Sequence, residues 1–421
     1  MVIFMAAIKP VMLISDSVSA PTGLARIARD LAVGIHKNLG DIYRLATFGF
    51  GAPMDCSLGF PQITAENTDE FILPTLPEAW NGFAGNEKGI VLCVWDASRL
   101  GWFSTPTTAE KLTGPKYRSL AKWLEKPPFE KWIYCPLDAS GPNGKLTFSL
   151  MKTLYGFDRI LAYSEWGRAI IEATIGTEAA EAKHLCALPH GIHTDVFSQS
   201  PDRQLLRSVF PKLTGSTSII AEHRGIAEDE VLIGIVATNQ ERKDWALGIK
   251  TVAILADKGM KVRLWIHTDV LNRNWDILGL LIDYGMLGDR TLISTGYLSD
   301  EEMADAYSAC DVTLGIGPEG FGYPIFESMF CGTPCVHGDY GGAPEHMPAE
   351  YLVEPFAERI QGVYSQERPL YRAEDFVKAV EGVVGKRAVP PSRLDWKNLW
   401  PRWEAWFRES VKVDEVPDEQ K

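Results

Sequence analysis

The sequence lacks the features that assign a chain at once to the secreted, membrane or zinc-binding proteins. Its seven cysteines are scattered and odd in number, which is typical of reduced core thiols in a cytosolic protein. Cys331 and Cys335 have no second cysteine pair nearby, so no zinc site is expected. No apolar segment reaches the ~20 residues that span a membrane. The apolar N-terminus is interrupted by Lys9 and Pro10 and has neither a basic region nor a cleavage site. We therefore expect a cytoplasmic protein.

An excess of positive charge is also missing. The formal net charge is −13, which argues against a dominant surface for nucleic acid or membrane but leaves room for a local basic patch. Apolar residues make up 46% and charged residues 23% of the chain, as in ordinary soluble proteins. There is no internal repeat or low-complexity tract. A chain of 421 residues is long enough to form two domains of about 200 residues each.

Short apolar runs alternate with stretches of helical periodicity, which predicts a doubly wound α/β fold with parallel strands. The first run is followed by a loop that contains Gly23 and by a helix over 24–35. Ser299 is the predicted N-cap of a later helix, with Glu302 three residues on. The predicted strands cover residues 11–15, 90–95, 132–136, 160–164, 231–237, 262–267, 291–295 and 312–316.

Two aspartates directly follow predicted strands. Asp96 and Asp138 come after the runs 90–95 and 132–136. Ligand groups in open α/β sheets come from loops at the carboxyl ends of strands, which makes both residues site candidates. An Asx-turn or a helix cap explains each aspartate equally well.

The stretch from Pro318 to Pro334 combines a glycine-rich loop with the start of a helix. The small residues Gly320 and Gly322 let the backbone approach a ligand closely, and exposed amides at a helix N-terminus attract phosphate. A phosphate would repel Glu319, so that carboxylate is predicted to accept hydrogen bonds from sugar hydroxyls. Seven residues separate Glu319 from Glu327, and Glu327 is suited to ribose hydroxyls. By spacing alone, a loop–helix junction with two solvated carboxylates fits as well.

The segment DVTLGIGPEGFGYPIFESMFCGTPCVHGD (311–339) resembles the donor-site signature of retaining glycosyltransferases of the family 4 type, also called glycosyl transferases group 1. Both glutamates match, as do Gly320, Gly322, Gly332 and Pro334. The segment ALPHGIHTDVF (187–197) resembles the crossover between the two domains of that family. The resemblance covers nearly the whole chain and is strongest over 187–345.

The resemblance implies the GT-B architecture, in which two Rossmann-like doubly wound domains face a cleft and a C-terminal helix crosses back. The expected acceptor-side domain is 1–197 and the expected donor domain is 198–393. A crossover helix is expected over 394–413 and a polar tail over 414–421.

The resemblance also implies an activity, namely transfer of a hexose-type sugar, with retention, from a UDP- or GDP-sugar to a hydroxyl acceptor. No metal or other cofactor is expected, because no D-x-D pair follows a strand. Lys243 matches the family's phosphate-binding lysine, whereas the family's arginine falls on Thr238 or Asn239. Arg242 is therefore a displaced substitute or a surface residue. The implied catalytic residues are Asp138, Glu319, Lys243 and Arg242, and the implied donor-binding residues are Gly23, Tyr297, Leu298, Gly320, Phe321, Gly322 and Glu327.

Residues 99–152 are locally basic, with nine lysines and arginines against four carboxylates and several interleaved aromatic residues. An amphipathic helix with core tryptophans explains much of this pattern, and a surface for an anionic or nucleobase-bearing acceptor is the alternative. The acceptor-side candidates are Asp96, Arg99, Lys116 and Arg118. The acceptor is then a glycan or small molecule, or a hydroxymethylated base in DNA, as for some phage enzymes of this fold. If a phage encodes the protein, the expected location is the host cytoplasm. A nucleotide-sugar epimerase and a non-catalytic nucleotide-sugar binder also remain open.

Overall fold

The computed structural model describes residues 8–50, 54–65, 75–106, 115–217 and 224–414, and at 65, 115–117 and 411–414 it describes the backbone alone. Residues 415–421 of the expected polar tail lie outside this part of the chain. The chain forms two compact units. The first runs to His190 and takes in the chain again from Leu399, and the second is Gly191–Asn398.

The first unit is built on a seven-stranded parallel sheet with the order β3-β2-β1-β4-β5-β6-β7. Its central strands are short apolar runs that are buried along nearly their whole length, because helices cover both faces of a parallel sheet. The strands are β1 (Lys9–Ile14), β2 (Tyr43–Phe50), β3 (Gln62–Ala65), β4 (Gly89–Val94), β5 (Phe129–Cys135), β6 (Arg159–Ala162) and β7 (Cys186–Ala187).

The helices of the first unit follow its strands along the chain. The first helix begins because the side chain of Thr22 accepts a hydrogen bond from the Ala25 amide, which satisfies one of the free donors of the first turn. The helices are α1 (Gly23–Asn38), α2 (Leu76–Ala84), α3 (Gly101–Ser104), α4 (Pro115–Glu125), α5 (Phe148–Tyr155), α6 (Glu165–Ile175) and α7 (Thr177–Ala182).

The second unit contains a six-stranded parallel sheet, β10-β9-β8-β11-β12-β13, and a separate antiparallel hairpin, β14-β15. The strands are β8 (Val231–Val236), β9 (Val262–His267), β10 (Thr291–Ser294), β11 (Val312–Gly315), β12 (Cys335–Gly338), β13 (Leu352–Val353), β14 (Ala357–Gln361) and β15 (Gln366–Leu370). The helices are α8 (Arg203–Ser208), α9 (Phe210–Leu213), α10 (Trp245–Asp257), α11 (Ile277–Asp283), α12 (Asp300–Ala309), α13 (Tyr323–Phe330) and α14 (Ala373–Val383).

The doubly wound α/β prediction is confirmed for both units. All eight predicted strands form, with ends that differ by a few residues from those expected. The capping box of Ser299 and Glu302 at the start of α12 also forms. The hairpin was not predicted, because β14 is a largely exposed strand without an apolar run. All seven cysteines lie in the described residues and are free, and five of them are buried. None of the described helices is long and apolar enough to cross a membrane.

The last helix, α15 (Trp396–Asp414), packs on the first unit through its aromatic residues. Trp403 is fully buried and donates a 3.0 Å hydrogen bond from its indole nitrogen to the carbonyl of Pro189. Its ring lies edge-on to Tyr134 at 5.0 Å. A matching small residue on α1 is Gly34, where an added Cβ would lie 2.2 Å from the ring of Trp400. Trp396 and Trp403 are therefore core residues, and Trp400 and Trp406 are partly buried.

Truncation of Trp403 tests how much of the first unit depends on this packing. Trp403→Ala should lower the free energy of unfolding by about 3–5 kcal/mol, because it removes a fully buried indole and its hydrogen bond. The measurement is urea unfolding followed by near-UV circular dichroism. Arg402→Ala, at the exposed neighbouring position, is the control and should change stability little. Equal effects of the two substitutions would contradict the assignment of Trp403 to the core.

Candidate active site

The candidate site of the second unit lies where its strand order reverses. β8 pairs with β9 on one side and with β11 on the other, so the loops that follow β8 and β11 separate at a topological switch point. Ligands of open α/β sheets bind at such points, beyond the carboxyl ends of the strands. The loop after β8 holds Arg242 and Lys243, and the loop after β11 holds Glu319.

These three residues form one charged cluster. The ammonium group of Lys243 is in contact with Oε1 of Glu319, and a guanidinium nitrogen of Arg242 lies 3.4 Å from Oε2. The same arginine donates a 3.0 Å hydrogen bond to the carbonyl of Pro318. Only 8% of the Lys243 side chain and 17% of the Glu319 side chain are exposed. Thus three of the four predicted catalytic residues lie together, with the carboxylate between two cations.

Backbone geometry fixes the position of Glu319. Its carbonyl accepts a 2.9 Å hydrogen bond from the amide of Gly342. The preceding residue, Gly341, has φ +98°, and an added Cβ there would lie 2.4 Å from the same carbonyl. Gly322 also has a positive φ, +91°, which side chains other than glycine rarely adopt. Gly322 and Gly341 therefore allow the backbone to pack closely against Glu319, which places its carboxylate in contact with Lys243.

The loop leads into α13 without a side chain that caps the helix. Pro324 occupies the first turn, where its missing amide costs nothing. Phe321 is 4% exposed and packs against Phe326 with ring centroids 4.8 Å apart. Its side chain thus anchors the loop, and only its backbone is a candidate for ligand contact. First-turn amides of this kind bind anions.

The second glutamate of the motif is buried. Glu327 lies in α13 with 4% exposure, and its Oε2 accepts a 3.1 Å hydrogen bond from the hydroxyl of Tyr307. Tyr307 is fully buried in α12. Sequence reasoning missed this partner, because nothing in the helical periodicity of α12 distinguishes a tyrosine that bonds a carboxylate from a core tyrosine.

A further residue beside the cluster, His337, was not predicted. Its Nδ1 donates a 3.0 Å hydrogen bond to the carbonyl of Gly315, the last residue of β11. Burial lowers the pKa of His337 to about 4, and the positive charge of Lys243 contributes to the lowering. The imidazole is therefore neutral at physiological pH, with its proton on Nδ1. It supports the start of the loop without adding a charge.

Two predicted donor residues lie away from the charged cluster. Tyr297 and Leu298 follow β10, which is the edge strand two positions from β8. The Tyr297 side chain is 80% exposed. The neighbouring strand end is occupied by His267, whose Nδ1 lies 2.9 Å from the hydroxyl of Ser294. A long ligand would be needed to contact both this edge and Lys243.

In the first unit, three aspartates follow three adjacent strands. Asp16, Asp96 and Asp138 come after β1, β4 and β5. Asp16 was missed, although the rule that selected the other two also applies to it. Its carboxylate accepts hydrogen bonds from the indole of Trp95 at 3.1 Å and from the hydroxyl of Thr22 at 2.6 Å. It therefore holds the loop before α1.

An aromatic stack lies beside these aspartates. The ring of Trp95 is parallel to that of Phe50 at 5.0 Å, and the guanidinium of Arg99 lies 5.9 Å from the Trp95 ring centroid. Gly23, the first residue of α1, has open space where a Cβ would point. Arg99 is exposed and available as an acceptor-side group, whereas Trp95 is largely buried by its neighbours.

The structure corrects part of the interpretation of residues 99–152. Trp102, Phe103 and Trp132 are buried, so these rings cannot stack on a nucleobase. Lys131 is buried as well and donates to the carbonyls of Phe103 and Leu124 at 2.8 and 2.9 Å. Burial lowers its pKa to about 8.

Of the remaining basic candidates of this stretch, the structure describes the side chain of Arg118 but not that of Lys116. Arg118 is exposed on α4, as is the neighbouring Lys122. The side chain of Lys116 lies outside the described residues, as does the segment 107–114 with Lys111. In the part of the chain that the structure covers, no group of three or more histidines, cysteines or carboxylates is placed to hold a metal ion.

The neutral state of His337 predicts a pH dependence of stability. Because its folded pKa lies below the unfolded value near 6.5, the unfolded state binds the proton more readily. Stability is therefore lost as pH falls from about 6.5 towards 4, by up to roughly 3 kcal/mol. His337→Gln should remove this part of the loss, which urea unfolding at pH 7 and pH 4.5 measures. His36→Gln, on the exposed face of α1, is the control. If it reduces the loss of unfolding free energy at low pH as much as His337→Gln does, burial of His337 does not cause that loss.

Part of the chain matches a known protein family. Residues 230–366, about a third of the chain, match the model of the family described as glycosyl transferases group 1. No curated protein matches the sequence closely enough to count as a relative.

Solved structures resemble almost the whole chain. Sucrose-phosphate synthase from Thermosynechococcus elongatus is 16% identical with a TM-score of 0.65, over 96% of this chain and 100% of that chain. HepE from Anabaena, solved with UDP and glucose, is 15% identical with a TM-score of 0.65, over 96% and 100% of the two chains. A glycosyltransferase from Rickettsia africae is 14% identical with a TM-score of 0.61, over 96% and 99%. The protein therefore has the GT-B fold of glycosyltransferases, and the region that matches the glycosyl transferases group 1 model holds every donor-side candidate of the second unit.

Proposed function

We propose that the protein is a glycosyltransferase that moves a hexose-type sugar, with retention of configuration, from a nucleotide-diphosphate sugar to a hydroxyl acceptor. The observation that carries this proposal is the cluster of Lys243, Arg242 and Glu319 at the switch point of the second sheet, beside the N-terminus of α13. Two cations and a set of first-turn amides suit a diphosphate. The adjacent carboxylate suits the hydroxyls of the sugar attached to it.

Glu319 occupies both cations in the absence of ligand. A bound diphosphate would take over Lys243 and Arg242, since its oxygens carry more charge than one carboxylate. Glu319 would then accept hydrogen bonds from hydroxyls of the sugar, which is joined to the phosphate that the cations hold. The contact between Lys243 and Glu319 supports the proposal that the phosphate and sugar subsites are adjacent.

The nucleoside would extend from this cluster. We assign the ribose hydroxyls to Glu327, whose carboxylate Tyr307 orients. We assign the base to the loop of Tyr297 and Leu298, where an exposed aromatic ring offers a stacking surface. The HepE structures solved with UDP and with UDP-glucose favour a uracil nucleotide for a chain of this fold, and a GDP-sugar is the alternative donor.

The transfer needs no dedicated base. The bond from the anomeric carbon to the leaving phosphate oxygen breaks, and a bond from the same carbon to the acceptor oxygen forms on the same face. The acceptor proton passes to the leaving phosphate. Negative charge builds up on that phosphate in the transition state, where Lys243, Arg242 and the amides of Gly320, Phe321 and Gly322 stabilise it. No step requires a metal ion.

The acceptor side is assigned to the first unit. Asp138 and Asp96 follow neighbouring strands, and Arg99 is exposed beside them. A glycan or small-molecule acceptor accords with these polar groups. Hydroxymethylated DNA is less well supported, because several aromatic residues that would stack on bases are buried. Asp138 stays a predicted catalytic residue on the strength of its place after β5.

Removal of the Lys243 charge should reduce turnover more than donor binding. Lys243→Ala should lower kcat by roughly 100-fold or more, because the lost charge acts mainly in the transition state. Kinetics with a panel of UDP- and GDP-sugars measures kcat, and calorimetry with the nucleotide diphosphate measures affinity. Arg242→Ala should have the smaller effect, and Lys250→Ala, on the half-exposed face of α10, should have none. A larger effect of Arg242→Ala would reverse the roles given to the two cations.

Substitution of Glu327 should weaken nucleotide binding. Glu327→Gln removes a charge-assisted acceptor and should reduce affinity for the nucleotide diphosphate about ten- to a hundredfold. Tyr307→Phe keeps the Glu327 carboxylate but removes the hydrogen bond to its Oε2, and should cause a smaller loss of affinity. Calorimetry with UDP and with 2′,3′-dideoxy-UDP checks the assignment, because the variants should no longer distinguish the two ligands. Unchanged discrimination in folded Glu327→Gln would remove this residue from the ribose subsite.

A further inference from the structure

The second unit contains a cavity of about 60 Å³ beneath the hairpin of β14 and β15. Arginines from three segments line it, with Arg359 on β14, Arg368 on β15 and Arg242 in the loop after β8. The backbone at Gly317 and Pro318 forms the wall nearest the donor loop. The cavity therefore adjoins the proposed donor site and shares one arginine with it.

The cavity lies on the other face of the sheet from α13. Thr313 of β11 bonds Ser328 of α13 through their hydroxyls at 2.7 Å, so alternate residues of this segment point away from α13. Ile316 is one of these, and it contacts Gly248 of α10. The cavity is lined by Ile316 and by Phe376 of α14. The cavity therefore adjoins the one lined by Lys243 and Glu319 from the other face of the sheet, and Gly315 and Ile316 line both.

The two hairpin arginines are directly opposite each other. Arg359 pairs in register with Arg368, so both side chains leave the same face of the hairpin. Like charges at directly opposed positions destabilise an antiparallel pair. Arg359 donates to the amide oxygen of Gln361 at 2.8 Å, and Arg368 donates to that of Gln366 at 2.5 Å. Neither of these amide acceptors carries a charge, so the pairing gains no ionic compensation from them.

Each carboxylate of the cavity accepts a hydrogen bond from a neighbouring group, and Asp244 also interacts with the positive charge of Arg359. Glu241 accepts a hydrogen bond from Gln361, which holds the hairpin to the loop after β8. Asp244 caps α10 by accepting a 2.9 Å hydrogen bond from the Leu247 amide. Three arginines and two carboxylates therefore line the cavity, an excess of one positive charge, and the arginine that supplies it, Arg242, also lies 3.4 Å from Glu319.

We propose that this cavity is a binding site for a phosphate group, held by the guanidinium groups of Arg359 and Arg368 with Arg242 as the third donor. Planar guanidinium forks match phosphate oxygens in pairs. One ordered water needs roughly 10–15 Å³ of such a cavity, so there is room for a tetrahedral anion of five non-hydrogen atoms. The anion is inorganic phosphate or the phosphate of a small monoester whose remainder projects from the cavity.

The test is calorimetric titration of the full chain with inorganic phosphate and with glycerol 3-phosphate, in chloride buffers of constant ionic strength. Arg359→Gln and Arg368→Gln should each weaken binding about tenfold or more, since each removes charge-assisted hydrogen bonds. Lys378→Gln makes the same charge change at a side chain on α14 that is 75% exposed, and should leave affinity unchanged. Equal affinity for both probes identifies the phosphate as the whole ligand, and tighter binding of the ester identifies a monoester.

The same titration in a Lys243→Ala background separates this site from the donor site. Binding that survives Lys243→Ala and is lost on adding Arg368→Gln supports the cavity. Binding that is lost in Lys243→Ala and kept in both hairpin variants would overturn the proposal, as would no binding at millimolar phosphate. No sugar donor is present, so the outcome is independent of the proposed transferase activity.

Thermal unfolding excludes a merely structural role for the arginine pair. In phosphate-free buffer Arg368→Gln should not lower the Tm, because it relieves a like-charge contact. Phosphate should raise the Tm of the wild type and not that of the variant. A lower Tm of Arg368→Gln without phosphate would mean that the arginines hold the hairpin in place, and would contradict the proposal.

Discussion

The contact between Lys243 and Glu319 is the interaction on which the arrangement of the second unit depends. It joins the loops that follow β8 and β11, the two strands between which the chain reverses direction across the sheet. Both side chains are largely buried, and a buried charge is costly unless it is paired. The pair therefore holds the loops together in the absence of ligand, and in the proposed function a diphosphate replaces the carboxylate at the same cations.

The residues around this pair provide support without competing charges. Gly341 allows the backbone to approach Glu319 closely, and His337 bonds the end of β11 in its neutral form. Tyr307 orients the second glutamate from the neighbouring helix. Each of these groups fixes the position of a charged residue, so the site is organised before any ligand binds. Because these side chains are already ordered, no free energy is needed to reorganise them during the reaction.

The hairpin shows how an element outside the main sheet modifies this arrangement. Gln361 connects the hairpin to Glu241, next to Arg242. The two opposed arginines of the hairpin line a cavity together with residues of the same loop. Arg242 is thus the residue that both compartments share. Its displacement from the position usual in the resembling family makes physical sense in this setting, since here it can contact Glu319 and also line the cavity.

The sequence by itself determined the local structure and the class of site. Short apolar runs specify buried parallel strands, and Ser299 with Glu302 specifies a helix start, because these signals act over a few residues. The spacing of Glu319 and Glu327 and the glycines between them indicated a ligand loop. Tertiary structure alone decided which distant residues meet. Lys243 and Glu319 are 76 positions apart, and His337 and Gly315 meet only because β11 and β12 are neighbours in the sheet. The register that opposes Arg359 to Arg368 also had no local signal, since pairing of an exposed hairpin depends on the surface it packs against.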